Sequence, residues 1–252
     1  TVNCSDKTGT LTENRMTVTV LDVASGRLDV AAGGERGDGL DSESRATMAL
    51  LLAGAGLCND AQLERADDDD TYLAVGDPTE TALALVAARL GYPQDQVLAR
   101  LPRVSELPFD SDRKRMTTVH RVQLEEGAEA SSPSVVELVE LISHFNSPYI
   151  AFTKGGVDSL METCQFAWEE GRSQPLNEEL RTRIARANAS LASHGMRVLG
   201  VAMRLLTDEE YNRATAVDLN HQSADEQTDN AVCNQADVEH DEIFVGMLGM
   251  ID

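Results

Sequence analysis

The stretch Asn3-Cys4-Ser5-Asp6-Lys7-Thr8-Gly9-Thr10-Leu11-Thr12 (NCSDKTGTLT) sets one carboxylate beside a lysine, a glycine and a series of threonines. An aspartate carboxylate can attack a phosphorus centre and form an acyl phosphate. The attack brings two anionic groups together, so it needs a nearby cation and a cradle of hydroxyl and backbone N–H donors. Lys7, Thr8 and Thr10 supply groups of these kinds, and Gly9 permits close backbone approach. Asp6 is therefore a candidate phosphoryl acceptor, with Lys7 and Thr8 as its catalytic neighbours. Taken one residue at a time, the same string also suits an ordinary polar turn at a strand end.

The composition constrains the partners. The 252 residues are 42% hydrophobic and 25% charged, enough for a buried core in one large domain or two small ones. Acidic residues outnumber basic ones 43 to 21, a net charge of -22, which opposes nonspecific binding to nucleic acid or to an anionic membrane surface. Four cysteines (Cys4, Cys58, Cys164, Cys233) lie far apart without CxxC spacing, which argues against a zinc site or a disulfide framework and suits a reducing cytosol. No apolar run approaches the roughly 18 residues that would span a bilayer. The chain opens on Thr1-Val2 without a methionine and stops at Asp252 directly after an apolar run, so it reads as a piece of a longer polypeptide. An anionic ligand would need a basic pocket set against the overall field, and Arg113-Lys114-Arg115 with Lys154 and Arg197 are the candidates for it.

Local patterns outline the elements. Residues 16–23 alternate and are β-branched, as a strand is. Ser42 to about Cys58 reads as a buried helix. The aspartates Asp67 to Asp70 read as a solvated turn before a strand over Thr71–Val75. In Asp77-Pro78-Thr79-Glu80, Asp77 suits an N-cap, Pro78 the first helical position and Glu80 a capping box; Leu83, Val86 and Leu90 then form the buried stripe and Gly91 the stop. Residues 104–109 and 115–122 read as two strands joined by a polar turn, 125–134 as loop, and 148–153 as a strand running into Lys154-Gly155-Gly156. A helix is expected over 157–169. Leu176, Leu180, Ile184 and Leu191 mark an amphipathic helix ending at Gly195, followed by a strand over 196–203 and a capping box at Thr207 and Glu210. Residues 218–242 hold eight acidic side chains and no Lys or Arg, the composition of a flexible loop, and the last strand covers 243–250. The expected class is α+β, an antiparallel or mixed sheet flanked by helices.

The string DKTGTLT (6–12) resembles the phosphorylation signature of the P-type cation-transporting ATPases, of the type II class, and five further segments are similar to that family in the same order. The resemblance implies that Asp6 receives the γ-phosphate of ATP, with Mg2+ held by the Asp6 carboxylate and the Thr8 backbone carbonyl. The wider haloacid-dehalogenase superfamily shares this core, but its phosphatases usually carry a second acid where Thr8 stands. GDPTETAL (76–83) resembles the nucleotide-domain motif whose glutamate, here Glu80, contacts the adenine amino group. LPFDSDRKRMT (107–117) resembles the stretch whose phenylalanine, here Phe109, stacks on adenine, with Lys114 and Met116 around the base; an arginine that some members carry is Ser111 here. FTKGG (152–156) is similar to the family's KGA motif and places Lys154 and Gly155 at the deep end of the pocket, with Gly156-Val157-Asp158 departing from the usual Ala-Pro-Glu. MRVLGVAMR (196–204) is similar to the segment whose arginine, here Arg197, reaches the phosphates. FVGMLGMID (244–252) resembles the return strand into the phosphorylation domain.

By this resemblance residues 1–14 are a haloacid-dehalogenase-like phosphorylation-domain segment, 15–250 a nucleotide-binding domain, and 251–252 the start of the return hinge. The implied partners are ATP and the remaining phosphorylation, actuator and membrane domains of a parent pump; the implied place is the cytoplasmic side of an integral membrane protein. Two other functions fit some of the same residues: a haloacid-dehalogenase-like phosphatase with a large cap, and a nonenzymatic nucleotide-binding module. ATP affinity should be modest and sensitive to magnesium and to ionic strength.

Overall fold

The computed structural model describes residues 15–24, 26–30, 41–65, 72–123, 132–216 and 231–252. Asp6, Lys7 and Thr8, and with them the expected phosphorylation segment, lie outside the described residues, as do Asp67 to Asp70. In chain order the strands and helices are β1 (Thr17–Val23), β2 (Gly26–Asp29), α1 (Ser42–Leu57), β3 (Gln62–Arg65), β4 (Tyr72–Val75), α2 (Pro78–Arg89), α3 (Gln94–Arg100), β5 (Arg103–Asp110), β6 (Arg115–Arg121), α4 (Pro133–Ser143), β7 (Tyr149–Gly155), α5 (Val157–Thr163), β8 (Cys164–Glu169), β9 (Arg172–Pro175), α6 (Glu178–Ser193), β10 (Arg197–Leu206), α7 (Asp208–Thr215), β11 (Ala231–Val232), α8 (Gln235–Val238) and β12 (Glu242–Ile251).

The main sheet runs β11-β5-β6-β7-β10-β12-β1-β2, with the β8–β9 hairpin attached along β12. Its pairings are antiparallel except β11 on β5 and β8 on β12. This is the expected mixed sheet with helices packed on it. At the β1–β12 seam Thr17 pairs with Ile251, so the first and last described strands enter and leave side by side.

Helices cover both faces. On one, α1 and α2 bring Leu50, Leu51, Leu57 and Leu83 against Ile150, Phe152, Val201 and Leu248. On the other, Leu160 of α5 and Leu180, Ile184 and Leu191 of α6 pack on Ala202, Phe244 and Met247. A third cluster seats Ala214 and Val238 on Leu107, Val119 and Ala151. The caps fall where the residue types suggest. Asp77 accepts from the N–H groups of Thr79 and Glu80, Asn177 from that of Leu180, and Thr207 and Glu210 form a reciprocal capping box.

Three expectations need correction. The helix expected over 157–169 ends at Thr163; Cys164–Glu169 becomes β8, because pairing with both β12 and β9 satisfies its backbone and Trp168 packs edge-on against Phe145 at 5.2 Å between ring centroids. The loop expected over 125–134 gives way at Ser132, which caps α4. The acidic segment expected to be flexible across 218–242 is, over its described residues 231–242, integrated into the fold: Val238 is fully buried and the side chains of Glu239 and Glu242 are enclosed. Among the described residues no helix is long and apolar enough to cross a membrane.

Helix α1 approaches the sheet closely because of one glycine. A methyl at Gly54 would fall 2.5 Å from Val201 Cγ1 and 2.8 Å from Phe152 Cδ1, whereas one at Gly56 would make an ordinary 3.4 Å contact with Ala87. Alanine at either site adds up to about 1 kcal/mol of helix propensity, but overpacking costs about 1–3 kcal/mol. Thermal melts should therefore show Gly54→Ala with a lowered Tm and Gly56→Ala with an unchanged or raised one.

Candidate functional site

Strand β7 is buried at every position, yet its sixth residue is a lysine. The Lys154 side chain is 7% exposed, and its amine meets Glu80 Oε1 at 2.6 Å. Glu80 lies in the first turn of α2, and its other carboxylate oxygen accepts the backbone N–H of Asp60 at 3.0 Å. The glutamate expected to close a capping box instead turns across to the sheet. Asp77 alone caps the helix, and the Glu80 carbonyl accepts from Asn59 Nδ2 at 2.9 Å. A buried lysine needs a partner, and this one ties the start of α2 to the end of β7.

In front of the pair opens a cleft of about 740 Å3, lined by Asp77, Thr79, Glu80, Phe109, Lys114, Lys154, Gly155, Gly156, Arg197, Val198 and Leu199. Ligand pockets span roughly 300–1,000 Å3. Each wall has a local cause. Pro108 cannot donate to a sheet ladder, and the β5–β6 register shifts between Leu107 and Asp110, so no pairing falls on Pro108 or Phe109. The Phe109 ring is left 64% exposed at the mouth. The turn that follows is built on Asp110, whose carboxylate accepts the N–H groups of Asp112 and Arg113, both at 2.9 Å. It closes at Lys114 in the left-handed region, φ 56°, with the Lys114 carbonyl accepting from the Gly156 N–H at 3.2 Å. A Cβ at Gly155 would fall 2.7 Å from that same carbonyl, so only glycine lets β6 and β7 come this close here.

Arg197 begins β10 and donates through Nη1 to Thr79 Oγ1 at 2.6 Å. Partial burial pushes the Asp77 carboxyl up, but bonds from Thr79 and Glu80 together with the Arg197 charge outweigh it and hold Asp77 below the usual carboxylate range. The cleft thus carries the cations of Lys114, Lys154 and Arg197 against the carboxylates of Asp77 and Glu80.

The structure brings Glu80, Phe109, Lys114, Lys154, Gly155 and Arg197 to one cavity from four separate stretches of sequence. Met116 does not line it: opposite Lys154 in the β6–β7 register, its side chain is 1% exposed within the core below. The pool of positive charge expected from Arg113 to Arg115 contributes Lys114 alone. Both arginines turn to the far face, where Glu239 takes them. Sequence reasoning gave Asp77 only a capping role and overlooked Thr79, Val198 and Leu199, although all sit inside segments it had singled out. Glu239 was overlooked because its surroundings are acidic and its partners are distant. Among the described residues no group of three or more His, Cys, Asp or Glu side chains is arranged to hold a metal ion.

Residues 47–252 match the family described as "P-type ATPase, cytoplasmic domain N". The chain is 30% identical over 254 residues to "Calcium-transporting ATPase 1" of Bacillus cereus, covering 100% of this chain and 22% of that protein. It is 31% identical over 267 residues to "Cation-transporting ATPase pma1" of Synechocystis sp., covering 100% of this chain and 24% of that one. It is 30% identical over 256 residues to "Sodium/potassium-transporting ATPase subunit alpha-3" of Gallus gallus, covering 99% of this chain and 22% of the relative. The chain thus spans less than a quarter of the length of these relatives.

Behind the cleft, on the opposite face of the sheet, Glu242 is fully buried between the hydroxyls of Thr153 and Thr163. Burial pushes its carboxyl up; the threonine bonds and Arg115 pull down and the Glu239 charge pushes up, leaving it above its ordinary value. A carboxyl whose pKa is higher in the folded state binds more protons there. Its contribution is fully present below the unfolded value near 4.5 and is lost as pH rises through the folded one. Glu242→Gln removes that loss. The variant's Tm advantage over the parent should widen from pH 5 to pH 8 in parallel melts; an advantage independent of pH would contradict the assignment.

Proposed function

The chain belongs to the family of P-type ATPase cytoplasmic N domains, and on that premise we propose that its cleft is the ATP site. The observation that carries the proposal is the shared cavity: Phe109, Glu80, Lys154 and Arg197 surround one hollow. An exposed aromatic ring at the mouth of a pocket suits a purine face. The Glu80 carboxylate, an acceptor only, suits the exocyclic amine of adenine. Arg197 and Lys114, at the rim, suit the phosphates. The Lys154–Glu80 pair occupies the inner end and has to share its hydrogen bonds with the base.

The wider activity is proposed for a parent pump. There a carboxylate oxygen of Asp6 attacks the γ-phosphorus of ATP, the bond from that phosphorus to the ADP oxygen breaks, and ADP leaves with the electron pair. The resulting aspartyl phosphate drives cation movement across a membrane in concert with phosphorylation, actuator and membrane domains outside this chain. The Asp6 carboxylate and the Thr8 carbonyl are hard oxygen donors of the kind magnesium takes, and a bound Mg2+ would supply charge neutralisation there. Lys7 would add a cation beside the acceptor. On this reading 1–14 and 251–252 belong to the phosphorylation domain, in keeping with the adjacency of Thr17 and Ile251. The chain alone would bind nucleotide and turn it over poorly.

Calorimetric titration tests the site. The full chain should bind ATP, and Phe109→Ala should weaken it roughly tenfold, since stacking on an aromatic ring is worth about 1–3 kcal/mol. Unchanged affinity in that variant would overturn the assignment.

A further inference from the structure

Behind the cleft, one carboxylate holds two guanidinium groups. The Glu239 side chain is fully buried and accepts from Arg113 Nη1 at 2.5 Å and from Arg115 Nε at 2.7 Å. Thr117 Oγ1 adds a third bond at 2.8 Å. These arginines flank Lys114 in sequence, and Arg113 reaches further. Its Nη2 donates at 2.6 Å to the carbonyl of Pro108, in the stretch of β5 that has no pairing across the sheet. Arg115 Nη1 meanwhile donates to Ser159 Oγ at 3.0 Å, and Ser159 Oγ donates at 2.6 Å to the Arg113 carbonyl.

The segment that offers Glu239 is itself anchored. Asn234 caps α8, Val238 is buried, and Arg204 Nη1 donates to the Asp237 carbonyl at 2.6 Å. Glu239 is therefore a fixed post, and the turn that carries Lys114 and ends beside Phe109 is fastened to it. Without Arg113, nothing in the β5–β6 ladder would hold the Pro108 carbonyl. Without Glu239, Arg113 would lose its carboxylate and Arg115 would keep only the Glu162 carboxylate at 3.9 Å, and both guanidinium groups would move toward water.

We propose that Glu239 is a positioning residue for the nucleotide cleft: acting through Arg113 and the Pro108 carbonyl from the opposite face of the sheet, it sets the pose of the Phe109 ring and of Lys114. It touches no ligand. The proposal rests on the reading of this cleft as the ATP site, and it adds a residue outside the cleft to the determinants of affinity.

The test uses the full chain with Glu239→Gln, Arg113→Met, Phe109→Ala and the Glu239→Gln/Phe109→Ala double variant. Two readouts are followed: ATP affinity by calorimetry and backbone amide exchange by mass spectrometry. Glu239→Gln and Arg113→Met should each weaken ATP about fivefold, and exchange over 108–116 should quicken while α2 keeps its protection. A positioning residue acts through its client, so Glu239→Gln should cost little more once Phe109 is gone, a non-additivity on the scale seen for residues that share a network. A merely structural role would lower Tm, leave the Kd of the folded fraction unchanged and add fully in the double variant; that result overturns the proposal. If Glu239→Gln fails to fold, Arg113→Met decides by the same two readouts. If the parent chain does not bind ATP, the nucleotide reading falls, and amide exchange over 108–116 alone decides whether Glu239 holds the turn.

Discussion

A lysine buried near the end of a central strand is the constraint around which the site is arranged. A lysine buried in that position needs a carboxylate partner, and its cross-strand neighbours Met116 on β6 and Val201 on β10 supply none. The partner comes from α2, which must start over the end of the sheet to bring Glu80 within 2.6 Å. Asp77 and Pro78 start the helix there, and the Asn59 and Asp60 contacts fix its turn. The cleft is the space left in front of this pair, between the helix start, the first residues of β10 and the projecting β5–β6 turn.

The second face of the sheet supports the first. Arginines on either side of Lys114 point away from the cleft and into a buried polar layer of Glu239, Thr117, Thr153 and Glu242. The chain carries a charge of -22, yet the cleft in front of this layer holds three cations against two carboxylates. Two of the five basic side chains available there are neutralised locally by a buried acid and spent on geometry. The remaining three face the cavity.

Much of this was legible in the sequence wherever cause and effect lie close together. Asp77-Pro78 announces a helix start, Thr207 and Glu210 announce another, and Leu176, Leu180, Ile184 and Leu191 show a buried stripe; each depends on neighbours within a turn or two. Six of the seven expected nucleotide contacts meet in one cavity because the motifs that carry them sit at element ends. What stayed hidden depends on distant partners. Glu239 reads as one more solvated acid until Arg115, 124 positions away, is placed beside it. Cys164–Glu169 reads as the tail of a helix until β12 offers its edge. Met116 reads as a cleft residue from its motif, but the side chain that shares a face with Lys154 is sealed beneath it.

The account stands on a purine lying against Phe109 with its edge toward Glu80. Nuclear Overhauser contacts in an ATP-saturated sample of the full chain test this most directly. The account predicts cross-peaks from adenine H2 and H8 to the Phe109 ring and the Lys154 side chain. Adenine contacts confined to another surface, such as the hollow lined by Gln174, Asn177 and Arg183, would contradict it.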